Sequence, residues 1–274
     1  MSKKRISLMI LVILMSIIFL TGCWNYREIE RMSIVAGAAI DQGANGGYRI
    51  TVEIVQISGG RESKTTSKTI AMEGKTIFDA IRNGIALTGK KLYWSHAKAI
   101  VVSKKVAEKS IAKVMDFYTR DHETREDINV FISQAATAKE IFEAQATTES
   151  IKSYILSEIL KNQASLSKAP NVDILRFAIE SQSKGVATII PTVGLKKINN
   201  KTAPQIMGTA IIKKDKLVGF LSGEETRDLL FIRNEVKYGA LNEGIGEKTT
   251  PVTLEIFKNV NIFPCFMVAR IKIH

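Results

Sequence analysis

The hydrophobic pattern changes character twice along the chain. Ile6 to Leu20 is apolar at every position but Ser7 and Ser16, and Lys3, Lys4 and Arg5 precede it. As a helix this run rises only about 22 Å against about 30 Å of hydrocarbon, short for a permanent span and typical of an export signal. Strand periods follow. Ser33 to Ile40 is apolar and partly β-branched, Asp41 to Gly47 is rich in turn residues, and Tyr48 to Ile57 sets Tyr48, Ile50, Val52 and Ile54 against Arg49, Thr51 and Glu53. This predicts a hairpin, with Lys68 to Met72 as a short third strand. Thr76, with Asp79 three residues on, caps a helix whose Ile77, Phe78, Ile81 and Ile85 share a face before Gly89 ends it.

Leu92 to Trp94 and Lys98 to Val102 read as strands, and Lys104 to about Tyr118 as one helix with Val106, Ile111, Val114 and Met115 inward. Asp127 to Ser133 is a further strand. Thr137 and Glu140 form a capping box for a short helix through Phe142, and two more amphipathic helices are predicted over Ile151–Leu160 and Val172–Ile179, the last capped by Asn171. Val186 to Ile190 ahead of Pro191, with the polar stretch Lys196 to Pro204, suggests a boundary. Beyond it, Ile206–Ile212 and Lys216–Leu221 flank the turn Lys213-Lys214-Asp215, and Ser222 and Glu225 cap a helix to about Val236. Val252 to His274 is strand-like.

Strands and helices alternate only loosely, with no strict βαβ run, so the expected class is α+β: a mixed sheet with packed helices rather than a doubly wound parallel sheet. The expected organisation is a signal segment at 1–22, a large domain at 23–202, a small hairpin-and-helix domain at 203–247, and the start of an incomplete C-terminal portion at 248–274.

Composition narrows the class further. At 274 residues, 45% hydrophobic and 24% charged, the chain is globular, and two cysteines exclude a disulfide-stapled scaffold or a cysteine-rich zinc module. Formal charge is +12, or +9 once Lys3, Lys4 and Arg5 leave with the signal segment. Nucleic acid is the usual partner of so basic a chain. The export signal argues against it, as do lysine pairs scattered without a basic stripe between aromatics. An anionic bilayer surface accounts for the charge instead.

Leu20-Thr21-Gly22-Cys23 resembles the lipobox of bacterial lipoprotein precursors: an aliphatic residue, two small ones, then cysteine. The resemblance implies that the Cys23 thiol receives diacylglycerol, that cleavage makes Cys23 the first mature residue, and that its freed amine can take a palmitoyl group. Two acyl chains hold a protein stably to a membrane where one holds it only marginally. Trp24 would then lie at headgroup depth.

More of the chain carries a second resemblance. Cys23-Trp24 with Arg27-Glu28-Ile29, then Ile34-Val35-x-Gly37 and Ile40-Asp41, Ser95-His96, Asp116 with Arg120-Asp121-x-Glu123-x-Arg125, Ile190-Pro191, Gly208-Thr209-Ala210, Lys216-Leu217-Val218-Gly219 and Glu225-Thr226 occur in order. From Leu20 to about Phe257 the chain resembles the lipoprotein C subunits of spore germinant receptors. That resemblance implies a noncatalytic subunit on the outer face of the spore inner membrane, docked on two integral-membrane partners, an A and a B subunit, and needed for nutrient-triggered germination. Asn25 stands where the family more often has aspartate. Family members continue for about another hundred residues, and the resemblance fails near Ile262.

No catalytic, metal or cofactor motif stands out. The run Arg120 to Asp127 has carboxylates and His122, but no ligand spacing; a paired, solvated surface turn is the favoured reading. Family likeness makes Arg120, Asp121, Glu123 and Arg125 candidate partner contacts. Ser95 and His96, read as neighbours at a strand start, point to opposite faces and form no nucleophile-base pair, so His96 is expected to bond backbone. Gly46-Gly47 and Gly244-Ile245-Gly246 read as turns, and Cys265 as a free, buried thiol. The rival function is an extracytoplasmic solute-binding lipoprotein.

Overall fold

The computed structural model describes residues 3–19, 31–58, 64–144, 151–162, 167–183, 185, 187–198, 201–236, 239–245, 250–263 and 266–273. Two compact units are present, Met1–Met32 and Ser33–His274. The first holds α1 (Lys3–Phe19), which starts on its three basic residues and is apolar around its circumference thereafter save Ser7 and Ser16. Leu20, Thr21, Gly22, Cys23, Trp24 and Cys265 lie outside the described residues.

In the second unit the sheet is mixed, as the sequence predicts, with a strand order that local pattern does not reveal. β1 (Met32–Gln42), β2 (Tyr48–Ser58) and β3 (Lys64–Gly74) form an antiparallel meander at one side. On its other side β1 runs parallel to β5 (Ala99–Ser103), β5 to β6 (Asn129–Ser133), and β6 to β7 (Thr188–Ile198). β7, β8 (Lys201–Lys213) and β9 (Lys216–Leu221) then continue antiparallel, and the short β4 (Lys91–Tyr93) pairs with β1 off the main path. The hairpin read as part of a small domain is thus hydrogen-bonded along β8 to the large sheet. A separate three-stranded meander follows, β10 (Gly239–Ile245), β11 (Thr250–Phe263) and β12 (Phe266–Ile273).

The parallel centre follows from burial. Every residue of β5 and β6 is buried, as strands covered on both faces must be. Ile100, Val102, Val130 and Ile132 face one core, with α2 (Ile77–Thr88), α3 (Lys104–Lys109), α4 (Ala112–Arg120) and α7 (Ile174–Gln182). Ala99, Val101 and Phe131 face the other, with α5 (Lys139–Glu143) and α6 (Lys152–Asn162). The segment β5-α3-α4-β6 is therefore a crossover between neighbouring parallel strands. A third cluster joins Leu230, Phe231 and Val236, on or just beyond α8 (Gly223–Ile232), to Ile189 and to Ile256 of β11.

Two strand carboxylates position the α5/α6 layer. Glu53, fully buried on β2, accepts from the Lys152 and Ser153 amides at 2.9 and 2.8 Å, from Ser153 Oγ at 2.6 Å and from Ser67 Oγ at 2.7 Å. It thereby caps α6 with a negative charge at its positive end. Asp41, near the end of β1, accepts from the Ala138 and Lys139 amides at 2.8 and 3.0 Å and does the same for α5. The Thr137–Glu140 pair is formed as expected, Thr137 Oγ1 donating to Glu140 Oε1 at 2.9 Å and accepting the Glu140 amide at 3.4 Å, while the Ala138 and Lys139 amides go to Asp41. Gly37, paired with Glu53 in the sheet, lets α6 approach: a Cβ there would lie 2.2 Å from Ser153 Oγ.

Two helices and one strand differ in extent from the sequence pattern. The helix expected over Lys104–Tyr118 breaks at Ser110, whose backbone is extended (φ −174°, ψ 115°). Asp215, in the type I′-like turn between β8 and β9 with Lys214 and Asp215 both at positive φ, causes the break. Its carboxylate accepts from Ser110 Oγ and the Ala112 amide, and its carbonyl accepts from the Ile111 amide at 3.0 Å. The helix expected from Val172 starts at Ile174, capped by Asp173 rather than Asn171; Arg176 N donates to Asp173 Oδ1 at 2.7 Å. Asn171 instead accepts from Asn129 Nδ2. The third strand is twice as long as expected, pairing with β2 from Lys64 to Gly74. In α8 the Ser222–Glu225 capping box is complete, as expected.

Two stability measurements check this account. Glu53→Ala, which removes the acceptor shared by four donors, the Ser153 amide and hydroxyl among them buried, should cost about 3 kcal/mol in urea unfolding, with Glu53→Gln falling between it and the parent; a loss of a few tenths would show that the cap contributes little. Tyr118 is fully buried, burial pushes its phenol pKa far up, and its hydroxyl has no hydrogen-bond partner among the described residues. Tyr118→Phe should leave stability unchanged or raise it by about 1 kcal/mol, and a clear drop would reveal a partner for the hydroxyl.

Candidate functional site

Residues α2 and α4 form the walls of a groove. Thr76 Oγ1 accepts the Asp79 amide and starts α2, and Ile77, Ala80, Ile81 and Gly84 turn toward the sheet. Phe78 and Ile85, expected on that same inward face, remain 50% and 42% exposed and instead edge the opening. α4 buries Val114, Met115, Phe117 and Tyr118, leaving Lys113, Asp116 and Arg120 outward. Between the helices opens a cavity of about 1070 Å³ whose floor is Ile81, Leu92, Trp94 and Phe117. The floor is stiffened by edge-on ring contacts, Trp94 to Phe117 at 6.0 Å, Trp94 to Tyr118 at 5.6 Å and Phe117 to Tyr118 at 5.0 Å.

Three of the four candidate contact residues meet at one end of this groove. Arg120 is exposed and donates to Asp116 Oδ1 at 2.7 Å one turn back on α4. Asp121 ends the helix and accepts the Glu123 amide at 2.8 Å, closing a small turn. Glu123 is 16% exposed and pairs with Lys91. Ser95 Oγ fixes the same turn by donating to the Glu123 carbonyl at 2.9 Å. Arg125 is not part of the groove. It makes two hydrogen bonds to Asp127, at 2.8 and 2.9 Å, beside a shallow depression shared with Asp173 and Leu175. This hydrogen bond, with burial opposing it and Lys98 assisting, holds the Asp127 carboxyl below its usual range, and it holds the Arg125 guanidinium more firmly protonated. The run is a paired surface turn, as its composition suggests.

His96 departs from expectation. Ser95 and His96 lie in the turn between β4 and β5, not on a strand, and His96 is exposed with its ring centroid 5.9 Å from that of Tyr93. Among the described residues no group of three or more His, Cys, Asp or Glu could hold a metal ion. No helix among them is long and apolar enough to cross a membrane. Sequence reading missed Phe78, Ile85, Arg82 and Lys113 as groove residues; the available signal was an apolar stripe on α2 that runs on to Leu87, wider than one packing face needs.

Several motif residues belong to the fold rather than to this groove. Gly37 and Asp41 place α6 and α5. Gly208 has φ +134°, opposite the register shift at Thr192/Val193, where a Cβ would lie 2.2 Å from the Leu221 carbonyl. Thr209 and Thr226 meet through their buried hydroxyls at 3.0 Å.

Comparison with known proteins follows the same division. Residues 25–195 match a family model described as spore germination protein N-terminal domain, and residues 207–264 match one described as spore germination B3/GerAC like, C-terminal. Spore germination protein KC of Bacillus subtilis (strain 168) is 21% identical over 98% of this chain and 72% of its own length. Spore germination protein B3 of the same organism is 25% identical over 90% of this chain and 66% of its own, and spore germination protein A3 27% over 85% and 62%. The chain thus spans about two thirds of the length of these relatives. A solved structure, that of the GerBC protein, superposes with a TM-score of 0.46 at 22% identity, covering 81% of this chain and 63% of the other. With a single family model matched across residues 25–195, the chain belongs to the spore germination protein family.

Proposed function

We propose that the chain is a lipid-anchored, noncatalytic subunit of a spore germinant receptor, held by Cys23 on the outer face of the spore inner membrane and docked on integral-membrane A and B subunits. The observation that carries this reading is the conjunction of a germination-family body with Leu20-Thr21-Gly22-Cys23 directly after a basic-led apolar helix. Neither half alone would locate the protein. Together they support the reading of a folded module tethered just beyond an acylation site.

Chain length sets the working distance. Ten peptide steps separate Cys23 from Ser33, where the folded unit starts, and fully extended they reach about 35 Å. The body therefore samples only a thin layer above the bilayer, and docking on a membrane partner becomes an encounter at high effective concentration. A charge of +9 after loss of the signal segment adds attraction to anionic headgroups within about a Debye length. The rival reading, a solute-binding lipoprotein, needs a cleft between two comparable lobes; the α2–α4 groove lies instead on one helical layer.

Labelling with palmitate in sporulating cells tests the proposal. Cys23→Ala should abolish the label, and a second variant, with residues 1–22 exchanged for an ordinary cleavable signal and Cys23 for alanine, should shift from membrane to soluble fractions. The purified body should keep its melting temperature, and co-purification with membrane subunits should fall by about tenfold or more. Undiminished membrane retention and assembly of the second variant would overturn the anchor.

A further inference from the structure

The groove between α2 and α4 has an apolar floor and a rim whose charges are unequally committed. All three of its carboxylates are engaged from within: Asp116 by Arg120, Asp121 by the Glu123 amide, and Glu123 by Lys91. Two of its four Lys and Arg side chains, Arg82 and Lys113, are not. Arg82 lies over the Phe78 ring, 4.7 Å from the centroid, and forms no ion pair among the described residues; Lys113, on the facing helix, forms none either. The uncommitted charge on both walls is therefore positive, above a strip of exposed hydrocarbon that water solvates poorly.

Dimensions favour a row of side chains over a compact ligand. α2 is 12 residues long, about 18 Å, so the groove runs beside about three turns of helix. Its volume of about 1070 Å³ lies above the usual span of about 300–1,000 Å³ for small-molecule sites, and half-exposed Phe78 and Ile85 leave it open at the side. A flat bilayer is poorly matched to a concave floor set below basic walls, whereas an amphipathic helix presents residues at i, i+3, i+4 and i+7 to such a trough. The aromatic floor and the turn pinned by Ser95 and Thr124 keep the trough formed without an occupant.

We propose that this groove docks an amphipathic helix of a partner protein, its apolar stripe laid on Ile81, Trp94 and Phe117 and its acidic flanks meeting Arg82 and Lys113. This deepens the docking role proposed above and rests on that reading only for where the partner resides.

Trp94 supplies the readout. The chain has two tryptophans, so Trp24→Phe in the full-length chain, with Cys23→Ala to keep it free of any acyl group, leaves Trp94 as sole reporter. The probes are two synthetic helices of about 14 residues with one leucine stripe, flanked by glutamates in one and lysines in the other. The acidic helix should bind saturably, shift Trp94 emission, weaken with salt, and bind about tenfold or more tighter than the basic one. Phe78→Ser with Ile85→Ser should lower its affinity about tenfold or more, with melting temperature monitored. Arg82→Glu with Lys113→Glu, both at surface positions, should reverse the preference. Equal binding of the two helices, binding of neither, or an unchanged preference after charge reversal overturns the proposal. So does a Trp94 response to phosphatidylglycerol vesicles alone, which would make the groove a lipid surface. None of these readouts depends on Cys23 being acylated, so failure here leaves the anchored-subunit reading standing, and loss of that reading leaves the groove result intact.

Discussion

Two buried carboxylates on the sheet hold the α5/α6 layer in place. Glu53 and Asp41 project from the face of β1 and β2 that carries Gly37 and Ala39, and each ends on the amides of a helix start. A buried carboxylate without partners is untenable, and a helix start without acceptors is nearly as costly. Each defect cures the other, so strand and helix can be buried together only in this relative position. Gly37 sets the spacing, because a larger residue beside Glu53 would push α6 off its cap. Covering of that face in turn is what allows β5 and β6 to be apolar on both sides, and hence to form the parallel centre of the sheet.

Motif residues divide accordingly. Gly37, Asp41, Gly208, Thr209 and Thr226 are consumed by close approaches, caps and buried hydroxyl contacts, and none reaches the α2–α4 opening. Likeness to the germination family is thus a statement about how the chain folds as much as about what it does. Asp116, Arg120, Asp121 and Glu123 are different. They line the groove, where Asp116 pairs with Arg120, Asp121 accepts a backbone amide and Glu123 pairs with Lys91, leaving a polar margin that does not compete for an incoming anion.

Local pattern made the elements legible and left their partners hidden. Alternation in β2, the Thr76 and Ser222 caps, and the β8–β9 turn are short-range signals, and each appears in the structure where the pattern puts it. The break at Ser110 was not readable, because the group that forces it, Asp215, lies 105 residues away in sequence. Nor was the parallel centre: an Ala-Ile-Val-Val run fits a strand of either direction, and only the helices on both faces decide. Glu53 reads as the solvent side of an alternating strand, since nothing nearby in sequence announces the helix start that covers it. Phe78 and Ile85 fail for the converse reason: periodicity assigns a face to a helix, but not how much of that face the neighbours cover.

The proposed tether and the proposed docking groove would each make a modest strength sufficient in the other. On the proposed anchoring, a short chain beyond Cys23 would confine the body to a layer where a membrane partner is present at effective concentrations of order 1 mM. A docking contact with a dissociation constant near about 10 μM is then occupied almost always, though it would be negligible between two proteins free in solution. Half-exposed Phe78 and Ile85 and two uncommitted cations suit an interaction of that size. A deeper, drier groove would bind more tightly but would expose more hydrocarbon on every undocked copy, a liability for any surface held beside lipid. The proposed acyl anchor would remove the need for that trade, because it would supply proximity without adding apolar area to the folded body.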